Sequence, residues 1–515
     1  MHMHSVILIY PPVSKPSEPP AGIARLSGFL KHNGVKPVLL DANLEGLMYL
    51  LKSAVLSPDK AQDTWSRRAL RNWPKDIASL KDGRIYSHID RYKRAVADIG
   101  RVLEISGRDR GVNAGLANYQ SSSLSPLKSI DLIHSAETPE ENPFYPYFNE
   151  RLTELINHNP PSLVGFSLNY LSQALSVFAM AGFIRKRFPG IELALGGGLI
   201  TSWVRRPGWK NPFDGLIDHL IAGPGEFPLL SILGIEGDKR YFSAPDFHDL
   251  PLKDYLSPGP VLPYSASSGC YWHRCSFCPE KAEDNPYIAV PVDRAMEDIS
   301  SLAEVTKPVL LHLLDNSISP ALMRSLAKNP PGFPWYGFAR IDRQLTDSDF
   351  CMALKKSGCA MLKLGIESGD QGVLDSMEKG IDLDIVSLAL KSLKKAGIAT
   401  YVYLLFGTPY ETLAEARKTL QFTANHSAEI GFLNLAVFNM PVCGEWSDQF
   451  ETSSFYEGDL SLYTDFVHPG GWSRKLVRDF LETEFKRHRA VASILKKDPP
   501  VFTSNHAPFF VMDRR

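Results

Sequence analysis

Three of the six cysteines in this 515-residue chain fall inside nine residues, in the run Ser268-Gly269-Cys270-Tyr271-Trp272-His273-Arg274-Cys275-Ser276-Phe277-Cys278-Pro279. Cys270, Cys275 and Cys278 are spaced C-x4-C-x2-C. Three thiolates on one short loop can wrap an iron–sulfur cubane and leave its fourth iron open for another ligand. A structural zinc ion asks for a fourth protein ligand, and His273 lies within the loop to supply one. The spacing alone leaves both metals open, with a chance grouping as a third reading. Six cysteines are too few for a disulfide framework in a chain this long, so the grouping points to metal in a reducing compartment. Cys351 and Cys359 stand among apolar neighbours and read as small buried hydrophobes. Cys443, in Met440-Pro441-Val442-Cys443-Gly444-Glu445, follows a predicted strand and is the one candidate for a catalytic thiol or extra ligand.

A loop of this kind needs rigid elements to present it. Residues 251–445 supply an alternation of predicted strands and helices. One strand runs into the cysteines, and others fall near Val309–Leu314, Trp335–Ala339, Met361–Ile366, Ala399–Leu405 and Phe432–Phe438. The pattern predicts a partial (β/α)6 barrel with its chemistry at the C-terminal ends of the strands. The N-terminal half alternates in the same way. Strands are predicted at Val6–Tyr10 and Pro37–Asp41, around a helix from Gly22 to Asn33 with Ile23, Leu26, Phe29 and Leu30 on one face. The alternation resumes at Ser162–Ser167, 171–188, Ile191–Leu195 and Leu216–Ile221. Residues 1–46 and 151–250 thus make an α/β, doubly wound, Rossmann-like domain. Residues 47–150 form a helical insertion and 446–515 a C-terminal helical extension. That extension carries one helix from Ser473 to Leu495 and an aromatic end that folds back on the barrel.

Composition excludes several classes. The chain is 44% hydrophobic and 22% charged, with material for full-sized cores, and its formal net charge is −1. No global field selects nucleic acid as a partner, and no apolar run reaches the roughly 20 residues of a transmembrane span. The start, Met1 to Ile9, has no Lys/Arg-rich region and reads as a first strand rather than a signal peptide, so a soluble cytoplasmic protein is expected. Between residues 60 and 110, 13 Lys/Arg stand against 7 Asp/Glu. This is either a solvated helical face or a surface that docks an anionic substrate or partner.

The cysteine loop resembles the radical S-adenosylmethionine (SAM) motif, which most often reads C-x3-C-x2-C with an aromatic before the last cysteine. Phe277 fills the aromatic position, and one extra residue separates the first two cysteines. The downstream order is also similar to that superfamily. It runs from Leu313-Leu314-Asp315-Asn316 to Gly337-Phe338-Ala339-Arg340-Ile341-Asp342. Gly365-Ile366-Glu367-Ser368-Gly369, Met377-Glu378-Lys379-Gly380 and Gly407-Thr408-Pro409-Tyr410-Glu411-Thr412 follow. A zinc site requires none of these. The resemblance implies that Cys270, Cys275 and Cys278 hold a [4Fe–4S] cluster whose open iron chelates SAM. An electron from the cluster then splits the sulfonium to a 5′-deoxyadenosyl radical, or the sulfonium methyl is consumed. Glu367 would bind the ribose hydroxyls, Arg340 a carboxylate, and Asp315 or Asn316 the methionyl amino group. Ser368 and Phe277 complete the SAM set.

The first domain resembles the B12-binding domain of one branch of the superfamily. The matching pieces are Pro11-Pro12, Pro20-Ala21-Gly22, Asp41-Ala42-Asn43, Val164-Gly165-Phe166-Ser167, Gly196-Gly197-Gly198 and Gly223-Pro224-Gly225-Glu226. They make Pro12, Gly22, Asn43, Ser167, Gly197, Gly198, Gly225 and Glu226 the cobalamin candidates. No D-x-H-x-x-G is present, because Asn43 stands where the histidine would be, so no histidine is a credible cobalt ligand. The implied function is a cobalamin-dependent methyltransferase acting on an unactivated carbon. Two alternatives are radical chemistry without methyl transfer and a zinc-stabilised binding protein. The implied partners are a small-molecule, lipid or peptide substrate and an electron donor such as flavodoxin or ferredoxin.

Overall fold

The computed structural model describes residues 5–55, 62–237, 242–500 and 506–512, so the first four residues of the expected opening strand lie outside it. The chain forms two compact units. One comprises Met1–Val261 with Glu457–Ser461 and Pro500–Ser504; the other comprises Leu262–Tyr456, Leu462–Pro499 and Asn505–Arg515.

In the first unit, β1 (Val6–Tyr10), β2 (Val38–Asp41), β3 (Leu163–Ser167), β4 (Glu192–Gly196) and β5 (His219–Leu220) form a five-stranded sheet. The order is β2-β1-β3-β4-β5, and the paired strands run parallel. Val6 to Ile9 are all buried. A strand covered on both faces reads as an unbroken apolar run, which is why it was legible. The chain leaves β1 towards β2 on one side and returns as β3 on the other, so a topological switch point falls between β1 and β3.

The insertion follows β2 directly. With α1 (Ala21–His32) joining β1 to β2, the helices of the insertion are α2 (Ala42–Val55), α3 (Thr64–Leu80), α4 (Ile89–Gly107), α5 (Ser129–Glu137) and α6 (Tyr145–His158). An antiparallel hairpin, Val112–Ala114 with Tyr119–Ser121, interrupts them. Ala69, Trp73, Ile77 and Leu80 form the buried stripe of α3, and the Asp63 carboxylate accepts from the Ser66 amide at its start.

The second unit is a six-stranded parallel sheet of β6 (Val261–Tyr264), β7 (Leu310–Leu313), β8 (Trp335–Ala339), β9 (Cys359–Glu367), β10 (Ala399–Phe406) and β11 (Phe432–Val437). The strands stand in chain order with helices between them, the expected partial (β/α)6 arrangement. Register is regular except at two bulges. One of them, between Gly365 and Glu367, lies at the carboxyl end of β9. Cys351 and Cys359 are fully buried in this unit's core.

The expected 446–515 extension is not a separate body. Glu457–Ser461 belongs to the first unit, where Leu460 accepts from the Trp203 indole at 3.1 Å and Asp459 from the Ser129 amide at 2.8 Å. The helix expected over Ser473–Leu495 is broken into Arg474–Phe480, a π-turn at Leu481–Phe485, and Arg489–Leu495. Its apolar spacing is continuous, and periodicity does not register one extra residue per turn. The aromatic end does return to the barrel. His506 stacks on Tyr401 at 4.4 Å, and Phe510 lies 5.1 Å from Phe432.

Candidate functional site

The loop after β6 carries the three cysteines, all free and partly exposed. A second loop, Met377–Gly380, clasps it. The Ser276 amide donates to Met377 O (3.0 Å), and the Trp272 indole donates to Glu378 O (3.3 Å). Lys281, just beyond Cys278, pairs with Glu378 (3.5 Å) and Glu445 (3.1 Å). Arg340, from the end of β8, lays its guanidinium over Trp272 at 3.7 Å and donates through Nη2 to the carbonyls of Lys379 and Gly380. Arg340 is therefore a strut between two loops. The pairing with a carboxylate expected from the sequence is not among these contacts, which occupy Nη2.

Burial pushes the Cys278 thiol up to about 11 and raises that of Cys275, although Lys379 and Arg340 pull Cys275 down. A metal cluster would supply the positive charge that favours the thiolate forms. Among the described residues no three His, Cys, Asp or Glu side chains converge as a single ion requires. His273 instead sits 3.8 Å from Asp284. The donor set suits a cubane, whose three irons take one thiolate each, better than a tetrahedral zinc ion.

The bulge at the end of β9 re-aims Glu367, whose φ is +67°. Its Oε1 meets Lys379 Nζ at 2.8 Å, and both side chains are 12% exposed. A Cβ on Gly365 would fall 2.5 Å from that oxygen and 2.9 Å from that nitrogen, so only glycine admits the pair. Burial pushes Lys379 down, but Glu367 and Cys275 together hold it above its ordinary value. The same ammonium lies 5.6 Å from the Phe277 ring. Cysteine loop, Phe277, Arg340 and Glu367 are thus gathered around Lys379, a residue that the sequence reading had placed in a motif without a role.

Three more of the expected SAM residues follow the ends of β7 and β9. Asp315 is buried and accepts from the Ala266 amide (3.2 Å) and the Ser267 hydroxyl, bracing the segment that leads into Cys270. Asn316 beside it is exposed. Ser368 is fully buried and turned away, 3.2 Å from Thr419 on the helix Leu413–Asn425, where it accepts from the Asp370 amide (3.1 Å). Cys443 Sγ lies 4.0 Å from Ala282 O, against the turn that follows Cys278. Deeper in the barrel, Lys363 Nζ stands 3.1 Å from His312 Nε2, and the His312 ring stacks on Tyr336 at 4.3 Å. Nothing in periodicity marks that buried polar pair.

Glu411 locks the loop after β10. Its Oε2 accepts from the Gly407 amide and from the Trp472 indole (3.1 Å), while Oε1 is buried without a hydrogen-bond partner. Burial pushes this carboxyl up to about 7, against the two donors. A folded pKa raised above the unfolded value gives stability that is full below the unfolded pKa and is lost as pH rises through about 7. Between pH 5 and 8 this group removes about 2–3 kcal/mol from the barrel unit. Glu411→Gln flattens that part of the pH dependence in urea unfolding; an unchanged slope would exclude the assignment.

In the first unit the cobalamin candidates collect at the carboxyl edge of the sheet. A Cβ on Gly22 would lie 3.5 Å from Ser167 Oγ. Gly197, at φ +108°, leaves no room for a side chain, since a Cβ would fall 2.5 Å from Leu168 O. Its neighbour Gly198 is exposed, and Ser167 and Gly225 are half-buried. Pro12 is buried. Asn43 and Glu226 are engaged internally: Asn43 Oδ1 accepts from the Ser14 amide (2.8 Å), and Glu226 pairs with Arg25. An edge of exposed backbone at a switch point fits a large flat ligand.

Residues 264–423 match the radical SAM superfamily model. Over 342 residues, 60% of the chain, the sequence is 26% identical to the hopanoid C-3 methylase of Methylococcus capsulatus, and this covers 64% of that protein. Over 186 residues, 35% of the chain, it is 26% identical to an uncharacterized methyltransferase of Pyrococcus horikoshii, covering 40% of it. The chain therefore spans less than two thirds of either relative. The fold is similar to that of OxsB, a cobalamin-dependent SAM radical enzyme solved with aqua-cobalamin bound. The TM-score is 0.53 at 13% identity, over 85% of this chain and 53% of that one. It is also similar to the radical SAM methyltransferase TsrM from Kitasatospora setae, with TM-score 0.50 at 14% identity, over 85% and 73%. A radical SAM domain implies a [4Fe–4S] cluster and SAM. No helix among the described residues is long and apolar enough to cross a membrane. Residues 264–423 thus match a radical SAM domain, and the fold of the chain is similar to those of two radical SAM enzymes solved with cobalamin bound.

Proposed function

We propose that this protein is a cobalamin-dependent methyltransferase that methylates an unactivated carbon. The observation that carries the reading is the clasped loop of Cys270, Cys275 and Cys278 in a chain whose first unit presents a glycine-lined sheet edge. The similarity to a hopanoid methylase supports it. In this reading the three thiolates hold the cluster. Glu367, fixed by Lys379, accepts from the ribose hydroxyls of SAM. Exposed Asn316 accepts from the methionyl amino group, while Asp315 braces the cysteine loop. Phe277 and Trp272 shield the cluster and the adenine. Ser167, Gly197, Gly198, Gly22 and Gly225 would border the cobalamin cradle. When bound, the cluster supplies the electron that cleaves SAM and cobalamin carries the methyl group. A flavodoxin or ferredoxin in a reducing cytoplasm serves as the electron source.

The test is anaerobic incubation of the reconstituted enzyme with SAM, hydroxocobalamin and reductant. S-Adenosylhomocysteine together with 5′-deoxyadenosine is expected. 5′-Deoxyadenosine alone would overturn methyl transfer and leave radical chemistry of another outcome.

A further inference from the structure

The insertion contains a cavity of about 680 Å3 between α3 and α4, with Lys75, Asp76, His88, Arg91 and Arg94 in its lining. The size lies within the range of small-ligand sites. Its charges are not balanced internally. Asp82 is taken by Arg84, and Asp98 is taken by Arg68 and by the Trp65 indole at 2.8 Å. Arg91 and Arg94 are exposed and make no ion pair among the described residues, and the Lys75 charge acts on Asp76 together with those of Asp98 and Arg68. Both arginines rise from the first two turns of the 19-residue α4, whose amino end favours negative charge. Asp76 Oδ2 is buried with no hydrogen-bond partner, an acceptor waiting for a donor.

We propose that this cavity binds a phosphorylated polyol, with its phosphate on Arg91, Arg94 and Lys75 and a hydroxyl donating to Asp76. Guanidinium groups match phosphate oxygens in geometry as well as in charge. The concave shape and the orphaned acceptor favour a discrete molecule over a membrane surface, which needs neither. The proposal goes beyond methyl transfer, and its test reads binding to the full chain rather than turnover.

Isothermal titration at low salt uses ribose 5-phosphate, ribose and inorganic phosphate as probes. Ribose 5-phosphate is expected to bind saturably and ribose not at all, with inorganic phosphate weaker than the ester. The double variant R91Q/R94Q, exposed at both positions, is expected to fold normally and to lose at least about tenfold in affinity. D76A is expected to erase the difference between ester and inorganic phosphate. Absence of saturable binding, or binding undiminished in R91Q/R94Q, overturns the proposal. So does binding confined to phosphatidylglycerol vesicles, which would make the patch a lipid-facing surface.

Discussion

Cys275→Ala is expected to abolish the cluster and, with it, all SAM cleavage. Anaerobically purified wild-type protein should carry iron and sulfide and show the ~410 nm absorption of cysteinyl iron–sulfur ligation; the variant should be colourless. Turnover should fall by at least about 10^4, since a group essential to the chemistry is removed outright. The other candidate ligands have contacts of their own. Cys351 and Cys359 are fully buried in the barrel core, His273 faces Asp284, and Cys443 faces the Ala282 carbonyl. The loop itself should survive. Its anchors, from Trp272 to Glu378, Ser276 to Met377 and Lys281 to Glu378 and Glu445, do not involve the thiols. Circular dichroism of the variant should therefore match wild type. Stoichiometric zinc in a colourless wild-type protein would sink the assignment and return His273 to consideration as a ligand.

The cysteine loop and the two parallel sheets were legible because each is a local pattern. Clustered thiols stand out against six cysteines in the chain, and strands covered on both faces appear as unbroken apolar runs. What was illegible depends on pairing across distance or on the direction of a side chain. The Trp272–Glu378 bond spans 106 positions, and no periodicity announces it. Motif position names Asp315, Ser368 and Arg340 as SAM candidates, and it does not say which protein groups their side chains meet. Asp315 is spent on Ser267, Ser368 on the Thr419 side, and Arg340 on Trp272 and two carbonyls. Asn43 and Glu226 illustrate the same limit in the first unit. Each stands at a strand exit, as the pattern required, and each is turned inward to Ser14 or Arg25. The break in the helix expected over Ser473–Leu495 is a backbone event that apolar spacing does not encode.

Lys379→Met should carry the second-largest effect, through Glu367 rather than through any bond of its own to SAM. Removing the ammonium leaves the Glu367 carboxylate, 12% exposed, without the charge that offsets its burial. Breaking one side of a buried ion pair costs about 3–5 kcal/mol. The bulge holds Glu367 at a positive φ, so the side chain has little freedom to find water instead. Glu367 should therefore leave the position from which it accepts ribose hydroxyls, and SAM affinity should drop by at least about tenfold. The lost cation also stands near Cys275 and Phe277. Its removal should shift the cluster's reduction potential to more negative values, because reduction adds negative charge beside it. Two companion variants separate these effects. The double variant K379M/E367Q should regain most of the stability, having removed the orphaned charge, while SAM binding stays weak. K379R should keep the potential close to wild type while the longer fork disturbs Glu367. If K379M/E367Q binds SAM as tightly as wild type, Glu367 has no part in holding it, and the pair is a structural bridge between the β9 exit and the loop that clasps the cysteines.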